Sequence, residues 1–308
     1  MGRMMDRRGF LSGAACSGVA TMLGGCALPW GSGADGRVPY GDTIGDRLWM
    51  WGHHRDSFKA LKGRRENYNL PYETRIDMAE ACRRMNIPGC FVVRWTDNPK
   101  AEDLPEYMKQ FRDTKRVGFS ITDSASGTFL DKVRLGFEYA DKMPNLTSFV
   151  MDDFWSGAAK GVDLKLISSI RDGLLARNMR LGIVLYADAN GIKGEYKDVL
   201  DLCDEITFWF WHGKNVGTIT AQVAKLRDLV GTAKPVLLGQ YMYDFGGKKP
   251  MSGTSMETQL MQAGHLLDTR AIDGVIFHCT PLVDMDLEAV RVSRDWIRAN
   301  AGRAWGRG

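Results

Sequence analysis

The chain predicts an α/β fold, a single (β/α)8 TIM barrel, and three observations carry that expectation. Apolar β-type runs recur about every 30–40 residues with helix-type segments between them, the alternation of a parallel sheet with βα crossovers. Eight such strand-helix pairs can be read in order. Once an N-terminal leader is set aside, about 260 residues remain, the usual size of one such barrel.

Each element has its own signal. Residues 47–54, RLWMWGHH, alternate large apolar side chains and read as strand one. Residues 71–86 place Ile76, Ala79 and Met85 at helical spacing, with acids early and Arg83-Arg84 late, as the helix dipole favours. Residues 90–95 are strand two and 101–114 its helix. Residues 116–122 and 127–143 form the third pair. Residues 147–155, TSFVMDDFW, carry strand four into two adjacent acids, and 162–178 is amphipathic. Residues 180–186 and 195–202 form the fifth pair, 205–211 and 218–230 the sixth. Residues 235–241 and 254–269 form the seventh, and 273–278 and 286–299 the eighth. Continuous apolar strands imply a sheet covered on both faces. A doubly wound sheet would usually carry a Gly-rich nucleotide turn after strand one, where this chain has Gly52-His53-His54-Arg55.

Ahead of the barrel, residues 1–26 read as an export leader. Arg7-Arg8-Gly9-Phe10-Leu11 resembles the twin-arginine motif, and a Gly/Ala-rich stretch follows it, too short to span a bilayer. Leu23-Gly24-Gly25-Cys26 resembles a lipobox, which makes Cys26 a candidate for acylation. Residues 27–46 read as a flexible tether, and residues 47–308 as the barrel. The implied partners are the export machinery and, through Cys26, a membrane. The implied location is periplasmic or at the cell surface.

The formal charge of +4 falls to +2 once Arg3, Arg7, Arg8 and Asp6 are set aside with the leader, so no electrostatic case exists for nucleic acid. Cys82, Cys90, Cys203 and Cys279 show no CxxC spacing and read as buried free thiols.

In such barrels chemistry sits where strands end and βα loops begin. That rule gathers a mouth from scattered positions. Asp152, Asp153, Asp188 and Asp244 are the candidate catalytic acids. Trp51, His53, Arg94, Trp95, Asp123, Trp155, Tyr186, Trp209, Trp211, His212, Gln240, Tyr241, Tyr243 and His278 are the candidate substrate contacts. Aromatic faces suit the C–H faces of sugar rings. Glycosidic cleavage needs one carboxylic acid and a second group, and neighbouring carboxylates push one pKa up. Adjacent strand residues point to opposite faces, so Asp152 and Asp153 cannot both face the axis unless the strand has ended between them. A partner is expected from Asp123, Asp188 or Asp244.

Strand four ending in acids, DEITFWFWHG at strand six and Met242-Tyr243-Asp244-Phe245-Gly246 resemble the chitinase-type glycoside-hydrolase barrels. The resemblance implies carboxylate chemistry on an oligo- or polysaccharide. VMDDFW departs from the family by lacking a glutamate at that strand end, so an N-acetylhexosamine substrate does not follow.

No cofactor or metal is expected. His53 and His54 are adjacent and strand five offers no histidine, so the histidines at strand ends read as hydrogen-bonding imidazoles. A catalytically silent glycan-binding barrel is one alternative. Another is a lyase or aldolase that holds a small anion with Gly246-Gly247-Lys248-Lys249 and Arg94. No GxSxG, Walker or HExxH motif occurs.

Overall fold

The computed structural model describes residues 40–63, 68–70, 73–123, 127–156 and 162–306. The leader with its arginine pair and Cys26, the tether up to residue 39, and Pro71 and Tyr72 of the first expected helix lie outside the described residues.

Eight parallel strands close on themselves: β1 (Leu48–Gly52), β2 (Gly89–Val92), β3 (Arg116–Ser120), β4 (Leu146–Met151), β5 (Arg180–Tyr186), β6 (Glu205–Trp209), β7 (Val236–Tyr241) and β8 (Gly274–His278). β8 hydrogen-bonds to both β7 and β1, which closes the ring. Helices follow the strands: α1 (Met78–Met85), α2 (Leu104–Tyr107), α3 (Phe129–Ala140), α4 (Leu164–Leu175), α5 (Lys197–Leu202), α6 (Ile219–Val230), α7 (Gly253–Asp268) and α8 (Glu288–Asn300). Local chemistry sets several of their ends. Thr128 and Asp131 form a capping box on α3, and the Asp163 and Ser252 side chains cap α4 and α7. Asn86 ends α1 in the left-handed region at φ 53°, with Arg83 and Arg84 in the last turn.

The barrel interior is filled by aromatics facing glycines. Trp49 lies opposite Gly89 and Phe91 opposite Gly118 in the strand register. A Cβ on Gly89 would sit 2.6 Å from the Trp49 ring, and one on Gly239 only 2.0 Å from Trp209. These glycines are the space into which the inward aromatics lean. Cys82, Cys90, Cys203 and Cys279 are buried free thiols.

The N-terminal ends of the strands are sealed by charge and aromatic stacking. Tyr40 Oη donates to Glu205 Oε2 at 2.5 Å, and Arg180 Nη1 lies 3.8 Å from the same oxygen. The Arg180 and Arg116 guanidiniums lie over the Tyr40 ring, and Arg47 stacks on Trp305 at 3.6 Å. Ile44 is fully buried, and Thr43 bridges to Ala304. Residues 40–46, expected as the end of a flexible tether, are instead packed onto the barrel. By Tyr40 the chain already forms part of the barrel's closure.

Candidate active site

β4 ends at Met151, one residue before the acid pair. Asp152 and Asp153 thus belong to a turn, with Asp153 in the left-handed region at φ 48°. Non-glycine residues hold that conformation at a cost of about 1–3 kcal/mol, and such positions cluster at functional sites. Leaving the pleat frees both carboxylates from strand alternation, and both line one pocket. Thr122 Oγ1 donates to the Asp152 carbonyl. On the far side of the turn, Trp155 Nε1 donates to Val184 O at 3.1 Å and its ring stacks on Tyr196 at 3.9 Å.

The pocket has a volume of about 320 Å³. β1 supplies Trp51 and the following loop His53 and Tyr68; the loop after β2 supplies Trp95. β5 and its loop supply Val184, Tyr186 and Asn190, and the loop after β6 supplies Trp211. Tyr241 ends β7, Phe245 follows it, and His278 ends β8. Trp51, His278 and Tyr241 form one row across three hydrogen-bonded strands, because Trp51 pairs with His278 and His278 with Tyr241.

Burial sets the ionisation of this pocket. Asp152 is held well above the ordinary carboxylate range, first by burial and then by the charges of Asp153 and Asp123. Asp153, exposed at the pocket mouth, is also raised by the partial desolvation of its carboxylate, but a hydrogen bond from Tyr186 opposes the rise. Tyr186 and Tyr241 bond to each other, and burial keeps both phenols protonated. Burial pushes His53 down to about 3, and burial followed by the proximity of His53 lowers His278 far below its usual value. Among the described lining residues there is no Lys or Arg. The pocket therefore offers acids, neutral phenols and neutral imidazoles against aromatic walls. That set favours a neutral hydroxylated ligand, or one that gains positive charge as it reacts, over an anion.

Other expected site residues are engaged elsewhere. Asp188 accepts from Trp211 N at 2.8 Å, His212 N at 2.9 Å and Asn215 Nδ2 at 2.8 Å. Asp244 accepts from Gly213 N at 2.9 Å and Gly247 N at 2.7 Å. Both acids fasten loop backbone and lie outside the pocket lining. Asp123 accepts from Arg94 N at 3.0 Å and lies 3.3 Å from Lys132 Nζ. Arg94 is buried, donating to Pro99 O and Asp97 Oδ1. Trp209 lies in the barrel core, its indole donating to Thr207 Oγ1. Tyr243 Oη donates to Tyr68 O at 2.8 Å, and the His212 ring packs under Gly246. Gln240 is fully buried; with Gly239 and Tyr241 facing inward, alternation turns its side chain toward the helical layer.

Tyr68 and Phe245 are pocket residues that the strand-end rule misses. Tyr68 comes from an aperiodic loop. Phe245 lay in view beside Tyr243 and Asp244, but nothing local marks it as the residue of that segment that faces inward. Among the described residues one cluster could hold a metal. Donor atoms of His53, His278 and Cys279 lie within 4.8 Å of one another.

No protein-family model matches the chain, and no curated protein matches it in sequence. Solved structures match it in fold. A Bacteroides thetaiotaomicron protein that carries an α-L-fucosidase assignment aligns with a TM-score of 0.51 and 10% identity, over 83% of this chain and 96% of that one. Concanavalin B aligns with a TM-score of 0.50 and 13% identity, over 82% of this chain and 98% of its own. A variant tryptophan synthase α-subunit from Pyrococcus furiosus aligns with a TM-score of 0.48 and 9% identity, over 84% and 98%. What the chain shares with the first two is the closed eight-stranded α/β barrel.

Proposed function

We propose that the protein is an exported carbohydrate-active hydrolase that cleaves glycosidic bonds at the C-terminal mouth of its barrel. The observation that carries this reading is the Asp152–Asp153 turn, which sets one half-buried and one exposed carboxylate, both held above the ordinary range by desolvation, in an aromatic-walled pocket of about 320 Å³. Glycoside hydrolysis needs a protonated acid for the leaving oxygen and a second group at the sugar carbon, where positive charge develops. Asp152, raised the more strongly, is the acid. Asp153, whose ionised form Tyr186 favours, is the base or nucleophile. Trp51, Trp95, Trp155 and Trp211 form the walls against which sugar faces pack. The proposal extends to location, with export by the twin-arginine route and anchoring through an acylated Cys26.

Hydrolysis of a polysaccharide and aryl-glycoside panel by wild type, Asp152→Asn and Asp153→Asn tests it. Turnover should fall by about two to four orders of magnitude in each variant, the range for losing acid–base catalysis. Full turnover in both would overturn the assignment.

A second reading, a glycan-binding barrel without catalysis, draws on the engagement of Asp188 and Asp244 by backbone amides, which leaves the acid pair on a single turn. Saturable glycan binding that Trp211→Ala abolishes, with no hydrolysis across the panel, would favour it.

A further inference from the structure

We propose that His53, His278 and Cys279 form a zinc site in the wall of the pocket. A ring nitrogen from each histidine and Cys279 Sγ all lie within 4.8 Å of one another. His53 is 5% exposed, His278 6% and Cys279 fully buried. In each imidazole Nδ1 is buried without a hydrogen-bond partner, whereas about nine in ten buried polar atoms have one. Two such nitrogens, on imidazole rings whose centroids lie 5.0 Å apart in one wall, mark a site able to receive something that accepts a lone pair.

The chemistry of the three donors selects the occupant. The set holds two imidazoles and one thiol outside any disulfide, with no carboxylate. Oxygen-seeking cations such as calcium and magnesium have nothing to bind there, whereas zinc takes imidazole and thiolate. Zinc bonds of about 2.0–2.3 Å place tetrahedral ligand atoms about 3.3–3.8 Å apart, so the widest pair must close by about 1–1.5 Å. On binding, Cys279 would release its proton to solvent and ligate as the thiolate.

The surroundings hold the donors in place. β1 and β8 are hydrogen-bonded neighbours, with Trp51 opposite His278. Thr280 Oγ1 accepts from His53 N at 2.9 Å and donates to His53 O at 2.6 Å, tying the two ligand segments together. Trp95 stacks on the His53 ring at 4.7 Å, and Tyr241 lies 4.6 Å from the His278 ring. Three protein ligands leave a fourth position. Both histidines line the pocket, so that position faces the cavity shared with Asp152 and Asp153. A zinc with one open position binds an oxygen ligand from solvent or substrate.

The test uses the full chain, stripped with chelator under reducing conditions and titrated with zinc alone against a chromophoric competitor. Wild type should take up one equivalent tightly, and Cys279→Ser and His53→Gln should each weaken it by at least about 100-fold, more than losing an outer-shell partner costs. Cobalt should give a near-ultraviolet sulfur-to-metal charge-transfer band that disappears in Cys279→Ser and persists in Cys203→Ser. Equal zinc affinity in wild type and both ligand variants, or no tight zinc uptake by a wild type whose circular dichroism shows it folded, would overturn the proposal. These readouts do not depend on hydrolysis, so they stand apart from the success or failure of the glycosidase reading.

Discussion

Asp188 sits where a barrel enzyme often keeps a catalytic acid, yet its carboxylate is engaged by three donors. Asp188→Ala separates the two roles. The substitution removes acceptors from Trp211 N, His212 N and Asn215 Nδ2, all half-buried and 2.8–2.9 Å away. Hydrogen bonds to a charged group contribute about 1.5–3 kcal/mol each, and a donor left without a partner costs about 1–3 kcal/mol. The freed Asn215 amide can turn to water, whereas the two backbone N–H groups are fixed in place. Counting those two alone gives a loss of about 3–6 kcal/mol. For a barrel of this size 1 kcal/mol corresponds to about 2–4 °C in Tm, so the midpoint should fall by about 6–24 °C. Asp188→Asn, which keeps one acceptor oxygen, should fall between. Thermal unfolding followed by circular dichroism supplies the midpoints, and the glycoside panel supplies activity at a temperature where both variants are folded. An Asp188→Ala protein with the wild-type midpoint and no turnover would refute this reasoning and return Asp188 to catalysis.

Other expectations concern the pocket floor, the core and the underside. Asp152 has a folded pKa above its ordinary 3.8, so the native state binds this proton more tightly than the unfolded chain. Its contribution to stability is complete below that ordinary value and is lost as pH rises through the folded value. Asp152→Asn should therefore be more stable than wild type at neutral pH and no more stable in acid, and Tm-against-pH curves that run parallel would disprove it. Gly239→Ala puts a Cβ 2.0 Å from Trp209 and should cost about 1–3 kcal/mol in urea unfolding, the usual range for overpacking. Tyr40→Phe removes the hydroxyl bonded to buried Glu205 Oε2 and should cost about 1.5–3 kcal/mol at neutral pH; an unchanged urea midpoint would show that bond to be idle.

The barrel was legible in the sequence because parallel strands are buried on both faces and so read as unbroken apolar runs, as in the 205–211 segment. Their ends were less legible. β6 stops at Trp209 and β4 at Met151, and apolarity alone cannot say where pairing ends and a loop begins. That difference decides whether Asp152 and Asp153 can share a pocket. Chemistry at the strand tips was legible only as an address. Backbone N–H groups leave the ladder as a βα loop proceeds, and an acid there serves equally well as their acceptor, which is what Asp188 and Asp244 do. His53 and His278 stand at opposite ends of the chain. Their adjacency follows from ring closure between β1 and β8, which no local pattern displays.

The Tyr40 seal also determines which way the molecule looks. Tyr40 engages the first residues of β3, β5 and β6, and Trp305 N donates to Asp42 O near the other end of the chain. Whatever precedes Tyr40 joins the barrel at its underside. Asp42 and Trp305, near the two ends of the described chain, meet on this same underside, so anything coupled there would leave the aromatic opening at the far ends of the strands uncovered.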